Sequence, residues 1–200
     1  MSKTTVKWLI GISSAIFLML IAALYTIQQA QASRDRLPVI KELPDFAFTT
    51  SAGEPFTKKD LLGKVSVVMF GFTSCKGPCP IMSANYAGMY KLYDHSDKFQ
   101  LVWVTVDPQV DSAERLKEYA ARFGVTDNRW VFLRSDMAAT VALCEGGFNL
   151  PASDLPGSHS TRFVLVDDQA RIRGYYYGTD DASIAQLKDD IRVLVRNMPT

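Results

Sequence analysis

One stretch, Phe-Gly-Phe-Thr-Ser-Cys-Lys-Gly-Pro-Cys-Pro-Ile-Met from Phe70 to Met82, constrains the fold on both sides of it. An apolar, β-rich run, Val65-Ser-Val-Val-Met-Phe70, leads in. An amphipathic pattern leads out, with Met82, Tyr86, Met89, Tyr90 and Tyr93 at helical spacings of three and four. Cys75 and Cys79 therefore belong to a strand-to-helix turn. Pro78 and Pro80 flank Cys79, and proline is tolerated in the first helical turn because amides there have no intrahelical acceptor to lose. This predicts Cys79 at the helix start and Cys75 in the loop before it. A thiol so placed faces the positive end of the helix dipole, which is expected to lower its pKa. The thiolate it favours is both the nucleophile of disulfide exchange and a ligand for soft metals.

The rest of the composition narrows the class. The chain has 200 residues, of which 48% are apolar, enough for one domain with a core and an extension. Net charge is +1, and Lys3 and Lys7 are the only charged residues among the first 33, so the remainder is close to neutral. With no basic patch, nucleic acid is excluded as a partner. Three cysteines are too few for a disulfide scaffold. They read as one functional pair, Cys75 and Cys79, with Cys144 beside Leu143 as a small buried hydrophobe. Met69, Met82 and Met89 read as core filling.

Residues 8–27 carry no charge, and twenty such residues in a helix span about 30 Å, the thickness of a bilayer's hydrocarbon core. Trp8 and Tyr25 fall near the two interfaces, and Lys3 and Lys7 keep the short N-terminal side in the cytoplasm. A signal peptide cleaved after Ala30-Gln31-Ala32 is the competing reading, but the apolar run exceeds a usual signal core. The expected organisation is a cytoplasmic N-terminus (1–7), a transmembrane anchor (8–27), a polar tether (28–44) and a domain (45–200) outside the cytoplasm.

Within the domain, short strands are expected at Asp45–Thr50 and around Pro55–Thr57, and apolar strands at 65–70 and at Phe99–Val106. Asp111 is expected to cap a helix, with Glu114 as its capping-box partner and Leu116, Tyr119, Ala120 and Phe123 as its apolar stripe. Trp130–Leu133 reads as a strand and Met137–Cys144 as a short helix. Thr161–Val166 and Ile172–Tyr177 read as a hairpin, and Asp181–Arg196 as a last helix burying Ile184, Leu187, Ile191 and Leu194. The alternation predicts an α/β domain, a central mixed sheet with helices on both faces.

Residues four apart on a helical turn permit either a disulfide or two sulfurs on one metal ion. A static staple is a weak third reading, because so short a loop gains little from closure. His159, in Pro156-Gly-Ser-His-Ser-Thr161, stands just before an apolar strand, where ligand sites of open α/β sheets collect. His95, after a helix, is given no role.

Three separated motifs, in order across residues 40–197, resemble the Sco/SenC family, thioredoxin-fold copper chaperones for cytochrome oxidase. They are Gly71-Phe72-Thr73-x-Cys75-x3-Cys79-Pro80, then Val106-Asp107-Pro108 with Asp111-Ser112, then His159-Ser160 before Phe-Val-Leu-Val-Asp. The resemblance implies a thioredoxin-like fold and copper, as Cu(I) or Cu(II), bound by Cys75, Cys79 and His159. It also implies delivery to the copper-accepting subunit of cytochrome c oxidase, with a thiol reductant or copper donor upstream. Such delivery places the domain in the periplasm of a bacterial inner membrane, since no mitochondrial transit character is present. Lys76, Gly77 and Val110 depart from the family pattern, which usually has proline and an acidic residue after the first cysteine and arginine at the third position. No residue is assigned to catalysis. The rival is a membrane-anchored thiol–disulfide oxidoreductase using Cys75 and Cys79 as a redox pair; a thiol peroxidase would leave His159 idle.

Overall fold

The computed structural model describes residues 3–35, 37–94 and 96–198, and His95 lies outside them. The side chains of residues 3–10 and 29–35, hence Lys3, Lys7, Trp8 and Ala30–Ala32, are likewise outside the description. The chain forms two units, Met1–Pro38 and Val39–Thr200.

The first unit is one helix, α1 (Lys3–Asp35). Every described side chain from Gly11 to Gln28 is exposed, and that stretch is long and apolar enough to cross a membrane. The helix runs through eight residues read as tether, because nothing between Gln28 and Asp35 breaks it; the first proline is Pro38.

The second unit begins earlier than residue 45. Strand β1 (Lys41–Glu42) is already part of the sheet, and Leu43 is buried with its amide on the Ala170 carbonyl at 3.1 Å. The other strands are β2 (Ala47–Thr50), β3 (Pro55–Thr57), β4 (Val65–Gly71), β5 (Phe99–Thr105), β6 (Trp130–Arg134), β7 (Arg162–Val166) and β8 (Arg171–Tyr177). They make an eight-stranded mixed sheet in the order β1-β8-β7-β4-β5-β6-β2-β3. The central pairs β4–β5 and β5–β6 are parallel, and the pairs outside them are antiparallel.

Strands β4 and β5 are buried at every position, because both faces are covered. On one face Val68, Phe70, Val102, Val104 and Val164 join Leu143, Cys144 and Phe148, which follow the short helix α4 (Met137–Ala142). On the other, Trp103 and Phe132 pack on Tyr119 of helix α3 (Ala113–Arg122), and Tyr86 of helix α2 (Cys79–Leu92) packs on Phe163. Helix α5 (Asp181–Arg196) buries Ile184, Leu187, Ile191 and Leu194, as its spacing predicts. The order β8-β7-β4-β5, with a parallel centre and an antiparallel hairpin at one side, is the thioredoxin-like arrangement.

One helix start differs from expectation. Ser112, not Asp111, caps α3, its hydroxyl accepting the Arg115 amide at 3.2 Å. Asp111 is fully buried and turned toward the Cys75 loop instead. Two cap-forming residues stand side by side, and the second suffices, which leaves the first for other work.

Candidate metal centre

Strand β4 ends at Gly71, the loop 72–78 follows, and α2 begins at Cys79. Pro78 occupies the cap position and contributes no side-chain hydrogen bond, so the first turn is set by the backbone and by Pro80. Cys75 is half-buried in the loop, its amide on the Phe72 carbonyl at 3.2 Å, and Cys79 is fully buried. His159 arrives from the opposite direction. The antiparallel β4–β7 pair sets Val68 against Val164, and continuing that register brings 159–160 opposite 72–73.

The three side chains meet. His159 Nε2 lies 3.4 Å from Cys79 Sγ and 3.7 Å from Cys75 Sγ, and all three ligand atoms fall within 4.8 Å of one another. Metal–sulfur bonds of about 2.3 Å and a metal–nitrogen bond of about 2.0 Å, meeting near 120°, would separate sulfur and nitrogen by about 3.7 Å. The observed spacings therefore suit a three-coordinate ion. On the far side of the ring, Nδ1 stands 3.2 Å from the Ser160 carbonyl. A carbonyl can only accept, so Nδ1 carries the proton and Nε2 offers its lone pair toward the sulfurs. The ring of Phe72 meets the imidazole edge-on at 5.4 Å and 90°.

The electrostatics correct one expectation. Cys79 does stand at a helix N-terminus, yet burial pushes its thiol up to about 12. The Phe72 amide, hydrogen-bonded to the sulfur, pulls the other way, while Cys75 and Asp111 add to the rise. Desolvation of a buried charge outweighs a dipole of half an elementary charge. Burial also holds His159 below the usual imidazole range, against the Ser160 and Phe70 backbone, so the ring stays neutral. A cation that replaces the thiol protons would supply the charge this site lacks.

Around the ligands, Asp111 accepts the Thr73 amide at 3.1 Å, the Thr73 hydroxyl at 2.5 Å and the Thr105 hydroxyl at 2.6 Å. Sequence reasoning missed this strut. Lys76, Gly77 and Val110 are all exposed, so the departures from the family pattern lie on the surface. Cys144 is buried in the core of the other face, where burial raises its thiol to about 12, and Met69, Met82 and Met89 are fully buried.

Fold and site together define a thioredoxin-like domain in which a Cys-x3-Cys pair and a histidine converge as a group that could hold a metal ion. Residues 35–196 match the SCO1/SenC family, and the chain belongs to it. A SCO1/SenC family lipoprotein from Bacillus anthracis has a similar structure, with a TM-score of 0.71 and 32% identity over 78% of this chain and 96% of that one. BsSco, a member of the Sco family of cytochrome c oxidase assembly proteins, superposes with a TM-score of 0.71 at 22% identity, covering 80% and 96% of the two chains. ScoI of Bradyrhizobium japonicum with copper bound superposes with a TM-score of 0.60 at 24% identity, covering 74% and 98%.

Proposed function

We propose that this chain is a membrane-tethered copper metallochaperone. It binds copper through Cys75, Cys79 and His159 and delivers it to the copper-accepting subunit of cytochrome c oxidase during assembly. A thiol reductant or copper donor acts upstream, and the domain works in the periplasm at a bacterial inner membrane. The observation that carries this reading is the convergence of two sulfurs and one deprotonated imidazole nitrogen within 4.8 Å. Thiolates suit Cu(I) and imidazole suits Cu(II), so the mixed set accepts both states. Half-exposed Cys75 offers the incoming partner a way in, while Cys79 and His159 hold the ion from inside.

The test is a copper titration of detergent-solubilised full-length protein. Reduced protein should bind one copper per chain; Cys75→Ser or Cys79→Ser should abolish tight binding, as should oxidation of the pair, because a disulfide sulfur is no thiolate. His159→Ala should weaken Cu(II) more than Cu(I). Stoichiometric copper on the double Ser variant would sink the proposal. The same asymmetry of exposure favours the second reading, a thiol–disulfide oxidoreductase, since exchange starts at an accessible sulfur. Efficient turnover of generic disulfides without measurable copper affinity would make that the better account.

A further inference from the structure

Gly71 closes β4 and has an ordinary strand backbone, so its conformation does not call for glycine. Space does. A Cβ built there would stand 3.0 Å from Cys79 Sγ and 3.4 Å from Trp103 Cζ2, with Met69 Cε next at 3.5 Å. The sulfur thus sits where this residue's side chain would be, and the indole edge bounds the same small space.

Trp103 itself carries an unexplained cost. It is fully buried in β5, and its Nε1 has no hydrogen-bond partner among the described residues. An orphaned buried donor is unfavourable, and phenylalanine would remove it. Phenylalanine would also lack the second ring, which carries Cζ2 toward Gly71. The indole is held by Tyr119 at 5.6 Å and Phe132 at 5.4 Å between ring centroids. The Tyr119 hydroxyl in turn bonds Ser83 at 3.0 Å, on the helix that begins with Cys79.

We infer that Gly71 and Trp103 are positioning residues of the metal centre, the first by leaving room for the Cys79 sulfur and the second by bounding that room. The inference rests on the metal-centre reading above. Too little space (Gly71→Ala) displaces the sulfur, and too much (Trp103→Phe) frees it. The two changes should compensate, because the added methyl meets the ring edge that the second substitution removes.

The experiment measures Cu(I) affinity, by competition with a chromophoric chelator, and the sulfur-to-Cu(II) charge-transfer band in the full-length protein. Gly71→Ala is expected to weaken binding about 10–100-fold and to move the band, and Trp103→Phe to weaken it by about tenfold, the range for residues that orient ligands. The double variant should bind more tightly than Gly71→Ala alone. Wild-type affinity and band in both single variants would overturn the inference, as would a double variant whose loss is the product of the two. If Gly71→Ala does not fold, Trp103→Phe decides alone by the same two readouts. If the wild type binds no copper, the metal-centre reading fails separately. The seat is then judged on metal-free protein by the rate at which a small disulfide, RSSR, oxidises the two thiols to the Cys75–Cys79 bond and leaves as two RSH. An unchanged rate in both variants would overturn it.

Discussion

A carboxylate with no exposed surface needs donors, and Asp111 has the amide and hydroxyl of Thr73 and the hydroxyl of Thr105. It thereby ties the end of β5 to the loop two residues before Cys75. Asp111→Ala would orphan these donors, and a loss of about 3 kcal/mol in stability is expected. Copper affinity should fall with it by about 10–100-fold, since the loop that carries Cys75 loses its strut. Chemical denaturation and chelator competition check the two parts; a variant with native stability and native affinity would remove Asp111 from this role. At this scale the sequence is least transparent. The spacing of Cys75, Cys79 and His159 marks the proposed ligands, but the rise in the Cys79 pKa comes from burial, which no local pattern displays. Asp111 reads as a cap because Asp before a helical stripe usually is one, and only the fold shows that Ser112 takes that place.

The hairpin β7–β8 positions His159, and its turn depends on one buried acid. Asp167 Oδ1 accepts the Gln169 and Arg171 amides at 3.0 Å each, and Oδ2 takes Arg171 Nη2 and Arg173 Nη1 at 2.8 Å each. Burial raises its pKa, but the hydrogen bonds from Arg171 and Arg173 outweigh that and hold it below the ordinary carboxylate range. A depressed folded pKa stabilises the fold above the unfolded value and is lost as pH falls through the folded one. Acid unfolding followed below pH 3.8 should therefore show this loss. Asp167→Asn should flatten that limb while costing about 2 kcal/mol at neutral pH; an acid limb identical to wild type would contradict the assignment. Elements with long apolar runs or clean helical stripes, such as β4, β5 and α5, are legible because their burial pattern is their sequence pattern. Two-residue β1 is not, since Lys41–Glu42 has no such pattern and exists through its pairing with Arg171–Ile172.

At the scale of the whole molecule, the apolar stretch Gly11–Gln28 of α1 and the two lysines before that stretch, Lys3 and Lys7, bear on placement. Under the proposed function, the positive-inside rule would keep Lys3 and Lys7 in the cytoplasm and send the domain across the membrane. In spheroplasts the full-length protein should stay with the membrane while added protease removes the domain; a membrane-bound protein that resists external protease would mean inverted topology and would end the copper-delivery reading. The sheet also carries a consequence for how the domain assembles. Lys41 pairs with Ile172 in the strand ladder, and its ammonium reaches Asn149 Oδ1 at 2.7 Å. The first strand of the domain thus waits for the last strand, and the ladder's edge closes only after some 130 residues of intervening chain are available. During synthesis the leading strand has no mate, so it must stay unpaired until the trailing hairpin arrives; the copper-site loop, β4 and β5 can meet well before that closure.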